Sequence, residues 1–99
     1  MIVYLAGPIT GVEGYEKQFQ EAKQQLEGQG HIVLDPSVLP KGLGDCDQYM
    51  RLCLPMIDMA DSVAMLPGWK NSLGACREWG YATALDKLVF DCEVIGDGV

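Results

Sequence analysis

The sequence predicts a small doubly wound α/β domain, with a parallel four-stranded sheet and three helices. Short apolar runs alternate with longer segments of helical spacing, and Gly or Pro stands at most of the boundaries between them. The apolar runs are continuous, as is typical of parallel strands that are covered on both faces. Right-handed crossovers between such strands produce the doubly wound arrangement.

The first half of the chain predicts two strands and one helix. Residues 2–6, IVYLA, predict the first strand, and GPITG follows as a turn. Residues 15–28 predict an amphipathic helix, because apolar side chains recur there at helical spacing among Lys, Gln and Glu. HIVLDP at 31–36 predicts the second strand, and residues 37–45 form a Pro/Gly-rich loop.

The second half predicts two further helix and strand pairs. Residues 46–60 predict the second helix, in which Pro55 favours a kink or the start of a new turn. DSVAMLPG at 61–68 predicts the third strand, residues 72–85 the third helix, and KLVFDCEVI at 87–95 the fourth strand. The order β-α-β-α-β-α-β predicts a Rossmann- or flavodoxin-like topology.

Composition narrows the possible functions. The 99 residues predict a single domain over 1–99 with a formal net charge of −7, which disfavours nucleic-acid polymers and anionic membranes as partners. A small anionic ligand held by backbone dipoles stays possible. No apolar run reaches transmembrane length, and MIVYLAGP does not resemble a signal peptide, so we expect a cytoplasmic protein.

The cysteines and the histidine predict no metal site. The four cysteines form no CxxC pair, and His31 has no cysteine near it in the sequence. We therefore expect reduced thiols, no disulfide framework, no metal, no cofactor, and a surface position for His31.

Two loops at the predicted carboxyl edge of the sheet carry candidate ligand contacts. In doubly wound sheets, ligands bind beyond the carboxyl ends of the strands, where the strand order switches. The first loop brings Gly7, Pro8 and Thr10 there, where backbone amides and a hydroxyl suit a phosphate or a sugar. Taken alone, the GPITG stretch favours the alternative interpretation, which is a simple turn without a ligand.

The loop LPGWKNS leads into the third helix. Ser72 is a predicted N-cap, and its hydroxyl with the free amides beyond it forms a candidate anion site near Lys70. A cap without ligand binding is the alternative. Trp69 either stacks on a base or closes the core.

Glu78 is the candidate chemical group of that helix. It lies six residues after Ser72, and its helical neighbours are mostly small: Gly74, Ala75, Tyr81 and Ala82. A ligand can therefore approach the carboxylate, and Tyr4 or Tyr81 can orient it. Apolar surroundings favour the protonated acid, whereas the N-terminal half of a helix favours the anion that a nucleophile requires. The alternative is a solvent-facing glutamate, with glycines at 74 and 80 for close packing on the sheet.

These motifs together resemble a known superfamily. YLAGPITG at 4–11, LPGW at 66–69 and SLGACREWGYA at 72–82 resemble the nucleoside 2-deoxyribosyltransferase-like superfamily over about residues 2–90. The resemblance is greatest to a small, often phage-encoded branch related to nucleoside 5′-monophosphate N-glycosidases. It implies a Rossmann-like sheet and a glutamate that attacks the anomeric carbon of a nucleoside or nucleotide. The glycosyl group then passes to another base or to water.

The resemblance also implies residue roles and partners. Glu78 matches the nucleophile, and Tyr4 matches the tyrosine that hydrogen-bonds it. Transferases of free nucleosides have an aspartate at the position of Ser72, where serine favours a 5′-monophosphate because a carboxylate would repel phosphate. The partner would be a small nucleotide or nucleoside, and the protein a homodimer in the cytosol, that of the bacterial host if it is phage-encoded. The expected substrate-binding residues are Gly7, Pro8, Thr10, Cys53, Trp69, Lys70, Ser72 and Gly74.

Three departures from the superfamily pattern keep other hypotheses open. Cys53 stands where these proteins place an aspartate that helps to hold the sugar and assists the leaving base. Pro8 and Thr10 replace a serine and an arginine of the phosphate loop in the monophosphate glycosidases. Those enzymes also use a C-terminal residue of a partner subunit, which a chain ending at Val99 is not expected to supply. A nucleotide-binding or sequestering module without turnover is therefore the second hypothesis. Cleavage of a dinucleotide such as NAD is the third, disfavoured because no extra subdomain is predicted.

Overall fold

The computed structural model describes residues 1–9, 11–40 and 46–92, except for the side chain at 46. Thr10 and the predicted strand end at 93–95 lie outside the described residues. The described elements are β1 (Ile2–Ala6), α1 (Tyr15–Gly28), β2 (Ile32–Leu34), α2 (Cys46–Met59), β3 (Ser62–Met65), α3 (Leu73–Ala84) and β4 (Leu88–Asp91). Short 3-10 turns span Pro36–Val38 and Trp69–Asn71. The predicted α/β class, with three helices and four strands, is confirmed.

The sheet has the strand order β2-β1-β3-β4, and every neighbouring pair is parallel. Tyr4 in β1 is paired with Leu34 of β2 on one side and with Val63 of β3 on the other. The chain moves outward in one direction from β1 to β2 and in the other from β3 to β4. The switch point therefore lies between the carboxyl ends of β1 and β3, where doubly wound sheets bind their ligands.

Alternation along the strands sorts the core into two layers. Val3 and Leu5 pack with α1 on one face of the sheet. Tyr4 and Ala6 face the other layer, which α2 and α3 cover. Successive strand residues point to opposite faces, so the position of Tyr4 in β1 directs its ring beneath the two helices.

The second strand is shorter than predicted because a turn begins directly after it. The Asp35 carboxylate accepts a hydrogen bond from the Ser37 amide at 2.8 Å, and Pro36 supplies the fixed φ that suits a helical first position. His31, which the sequence predicts at the surface, is half-buried, and its Nδ1 lies 3.2 Å from the N-terminal amine.

The second helix continues through Pro55, so the prediction that a new turn starts there is wrong. Pro55 is exposed, whereas Cys53 and Ile57 on either side of it are buried against the sheet. Packing of this face offsets the backbone hydrogen bond that proline removes. Lys87 donates to the carbonyl oxygens of Asp58 and Ala60, and so satisfies acceptors at the end of the helix.

Among the described residues, no helix is both long enough and apolar enough to span a bilayer.

Candidate active site

A buried carboxylate forms the centre of the candidate site. Glu78 lies in the second turn of α3, and 5% of its surface is exposed. Its neighbours on the same helix face, Ala75 and Ala82, are buried as well. The alternative of a solvent-facing glutamate is therefore wrong. Close packing also fails to explain Gly80, because a Cβ built there would meet no heavy atom within 4 Å.

One side chain from another element is hydrogen-bonded to this carboxylate, and a second one influences its pKa. Tyr4, fully buried in β1, donates its hydroxyl hydrogen to Oε2 of Glu78. Cys53, buried in α2, belongs to the same core cluster as Tyr4, and it lowers the pKa of Glu78 in part. We call Tyr4, Cys53 and Glu78 the buried triad. The expectation that Tyr81 could orient the glutamate is wrong, because its hydroxyl donates to Asp58 at 2.6 Å instead.

Burial dominates the electrostatics of the triad. Desolvation raises the pKa of Glu78 to about 7, and the hydrogen bond from Tyr4 and the presence of Cys53 lower it in part. The apolar surroundings therefore prevail over the groups that favour the anion. Burial and then the Glu78 charge raise the pKa of Tyr4 well above its usual value, so Tyr4 stays a hydrogen donor at neutral pH. Both forms of Glu78 are populated near pH 7, which permits a nucleophile or a proton-transfer group.

Ser72 is the N-cap of α3, as the sequence predicts. Its Oγ accepts a hydrogen bond from the Ala75 amide at 3.2 Å. Gly74 follows in the first turn and is half-buried. The cap fixes where α3 begins, and it thereby places Glu78 in the second turn.

Trp69 and Lys70 lie in a cleft that the triad does not line. The Trp69 ring stacks on Trp79 with centroids 6.0 Å apart, and its Nε1 donates to Asp91 at 3.1 Å. Lys70 Nζ lies 5.8 Å from the centroid of the Trp69 ring. The cleft has a volume of about 390 Å³ and is lined by Met65, Pro67, Gly68, Trp69, Lys70, Asn71, Asp91 and Cys92. The structure thus divides the predicted site residues into two groups.

Gly7 and Pro8 follow β1 and lie close to the segment that follows β3. A Cβ on Gly7 would lie 2.9 Å from the Leu66 Cβ, so glycine permits the close approach of the chain segments that follow β1 and β3. A Cβ built on Gly68 would lie 3.4 Å from Pro8 Cγ, which places the two loops side by side. Thr10, the third candidate from the first loop, lies outside the described residues.

Two partners in this region escape prediction from sequence. Asp91 holds the Trp69 indole, and Trp79 stacks on it. The sequence offers one signal for Asp91. This residue ends β4, the strand next to β3, and ligand sites lie at the carboxyl ends of such strands. Trp79 is 42% exposed. It directly follows the buried Glu78, and adjacent helical residues do not share a face, so helical spacing predicts only a position away from the core.

The fold has solved counterparts. A 2-deoxyribosyltransferase from Leishmania mexicana matches with a TM-score of 0.70 and 20% identity, over 93% of this chain and 63% of that one. A 2-deoxyribosyltransferase from the psychrotolerant bacterium Bacillus psychrosaccharolyticus matches with a TM-score of 0.73 and 22% identity, over 100% of this chain and 77% of that one. At these identities the likeness establishes a shared fold. The chain spans less than two thirds of the Leishmania protein.

The sequence itself identifies a family. No curated protein matches it. A family model described as a domain of unknown function (DUF4406) matches residues 1–91, which is nearly the whole chain. The chain therefore belongs to the DUF4406 family.

Proposed function

We propose that the protein cleaves the N-glycosidic bond of a nucleoside 5′-monophosphate, or transfers its deoxyribosyl group, with Glu78 as the nucleophile. The observation that carries the proposal is the buried Tyr4–Glu78 hydrogen bond beside the switch point of the sheet. The likeness in fold to two proteins named as 2-deoxyribosyltransferases supports the choice of a sugar as the reacting group.

The proposed reaction has two displacements. Ionised Glu78 attacks the anomeric carbon, the C–N bond breaks, and the base leaves with the electron pair and takes up a proton. A second base or water then attacks the glycosyl ester and releases the carboxylate. Tyr4 holds Oε2, so Oε1 is the oxygen available for attack. The same hydrogen bond stabilises the carboxylate each time that the negative charge returns to it.

The choice of a monophosphate rests on the start of α3. Ser72 and the first amides of the helix present hydrogen donors and a positive dipole end without a carboxylate, and the exposed Lys70 stands just before them. An aspartate in place of Ser72 would repel a phosphate there.

Base release is the direct test. Ribo- and deoxyribonucleoside 5′-monophosphates and the matching nucleosides are incubated with the protein, with and without an acceptor base, and free base is measured by chromatography. We expect release or exchange from monophosphates, its loss in Glu78→Gln, and no change in the matched control Glu27→Gln on the exposed side of α1. Equal release by Glu78→Gln would overturn the role of the nucleophile, and a preference for nucleosides would overturn the choice of substrate.

A nucleotide-binding module without turnover is the second candidate function. Two features favour it: Glu78 is only 5% exposed, and burial raises its pKa to about 7, which favours the protonated acid over the nucleophilic anion. A module predicts that a monophosphate raises the melting temperature while no base is released. Thermal shift measured on the same samples as the chromatography separates the two functions.

A further inference from the structure

The segment between β3 and α3 carries two groups on which the choice of a monophosphate rests, Ser72 and Lys70. Both are placed by Trp69, which lies just before them in the chain. The Ser72 amide donates to the Trp69 carbonyl oxygen at 3.0 Å. The Lys70 ammonium lies 5.8 Å from the centroid of the Trp69 ring, within the range of a cation–π interaction. The position of Trp69 therefore determines where the N-cap of α3 and the nearby positive charge lie.

Asp91 holds the Trp69 ring from the sheet. It is the last residue of β4 and is paired with Met65, the last residue of β3. The next amide, that of Cys92, donates to the Met65 carbonyl oxygen at 2.8 Å, so the pairing continues past Asp91. Oδ1 of Asp91 accepts a hydrogen bond from Trp69 Nε1 at 3.1 Å. The indole N–H is the one donor of a tryptophan side chain, and a hydrogen bond is directional, so Asp91 fixes the rotation of the ring.

Further contacts of Trp69 come from α3. The Trp79 ring stacks on it, with centroids 6.0 Å apart and planes inclined by 20°. Cys76 Sγ lies 3.6 Å from the Trp69 carbonyl oxygen. These contacts join the segment to the helix that follows it. The hydrogen bond to Asp91 instead joins the segment to the strands, and so it sets the start of α3 relative to the sheet that carries Tyr4.

We propose that Asp91 is a positioning residue, which acts through Trp69 to place the start of α3 and Lys70 for the phosphate group of the substrate. Its effect on the substrate rests on the proposed function, whereas its effect on the start of α3 does not. Asp91→Asn keeps an acceptor oxygen for the indole, and Asp91→Ala removes it. A purely ionic effect on Lys70, which lines the same cleft as Asp91, would instead be lost in both variants.

Hydrogen exchange tests this inference without a substrate. The chain has two tryptophans, so its ¹⁵N spectrum contains two indole N–H signals, and Trp79→Phe identifies that of Trp69. Two exchange rates are measured by NMR: that of the Trp69 indole hydrogen, and that of the Ala75 amide hydrogen, which is donated to Ser72 Oγ. The wild type, Asp91→Asn and Asp91→Ala are compared.

Two references separate a local effect from a general loss of stability. The amide of Leu5, which is fully buried in β1, is the internal reference for exchange through global unfolding. Glu27→Ala is the matched control, because it removes an exposed carboxylate from α1, which packs on the opposite face of the sheet.

In Asp91→Ala, we expect both rates to rise by about threefold or more relative to that of the Leu5 amide, since the closed form loses a hydrogen bond. Asp91→Asn should stay close to the wild type, and Glu27→Ala should change neither rate. In base release, the KM for a monophosphate should rise by about three- to tenfold in Asp91→Ala with kcat unchanged, because the phosphate contacts are displaced while Tyr4 still holds Glu78.

Unchanged rates in Asp91→Ala would overturn the positioning role, and so would equal increases in Asp91→Asn and Asp91→Ala. An equal increase for the Leu5 amide would show a general loss of stability and would overturn it as well. If Asp91→Ala does not fold, Trp69→Phe removes the indole donor but keeps an aromatic ring, and the Ala75 amide makes the same comparison.

The proposed function fails separately, when the wild type releases no base. Faster exchange in an inactive protein would retain the role of Asp91 at the start of α3 and reject the enzyme. Base release with unchanged exchange would do the reverse. Faster exchange with an unchanged KM would overturn the role of Asp91 toward the phosphate.

Discussion

Tyr4 and Glu78 lie 74 residues apart in the sequence and meet in a buried hydrogen bond beneath α3. The contact joins β1, one of the two central strands, to the helix that follows β3, so it forms only when the β1–β3 pairing and the docking of α3 are both complete. A carboxylate in such a place costs folding free energy unless its partners offset the loss of water. A chemical role of Glu78 therefore explains its burial better than a contribution to the stability of the fold does.

Removal of the Tyr4 hydroxyl should raise the pKa of Glu78 and leave the packing of the aromatic ring unchanged. In Tyr4→Phe, Glu78 loses a hydrogen bond that lowers its pKa, so the acid limb of the pH–rate profile should move to higher pH. We expect base release at neutral pH to fall by about 10- to 100-fold. Tyr81→Phe is the matched control, because its hydroxyl contacts the exposed Asp58 instead. A similar loss in both variants would show that the effect is not specific to the triad.

The raised pKa of Glu78 predicts how stability depends on pH. The native carboxyl has a pKa of about 7 against an ordinary value of 4.5, so between these values the unfolded chain releases the proton while the native state keeps it. Stability should therefore fall as pH rises through this range, by up to about 3 kcal/mol. Urea unfolding at pH 4 to 8 measures it. The free energy of unfolding of the wild type should fall with pH relative to that of Glu78→Gln. If the two variants show the same pH dependence, the raised pKa of Glu78 is contradicted.

The sequence predicts the strands and the cap better than it predicts the triad. Continuous apolar runs specify parallel strands, and Ser72 before a helical segment specifies its start, because both signals are local. Whether Glu78 points inward depends on how α3 rotates on the sheet. The influence of Cys53 on the pKa of Glu78 depends on how α2 packs against α3, and no local pattern predicts this for two residues 25 positions apart in the chain. The continuation of α2 through Pro55 likewise follows from burial of its neighbours, not from helix propensity.

A pair of serines should respond in opposite ways to the loss of the hydroxyl. Ser62 in β3 is fully buried, and its Oγ has no hydrogen-bond partner among the described residues. Ser62→Ala should therefore be neutral or stabilising by up to about 1 kcal/mol. Ser72→Ala removes the α3 cap and should destabilise the protein by about 1 kcal/mol. Free energies of unfolding from urea titrations compare the two. A clear loss in Ser62→Ala would mean that its hydroxyl does have a partner in solution.

A pair of glycines distinguishes close packing from open space. Gly7→Ala places a Cβ 2.9 Å from the Leu66 Cβ, where backbone or strand must shift, so we expect destabilisation by about 1–3 kcal/mol. Gly80→Ala meets nothing within 4 Å and lies inside α3, so it should stabilise the protein by up to about 1 kcal/mol through helix propensity.

The two glycine variants are compared by urea unfolding and by base release. If Gly80→Ala gains stability but loses base release or monophosphate binding, the open space beside α3 serves a ligand, and glycine is kept there at a cost in helix propensity. If stability rises and function does not change, the space has no role in the site. Destabilisation by Gly80→Ala would contradict the finding that a Cβ fits beside Gly80 without a close contact.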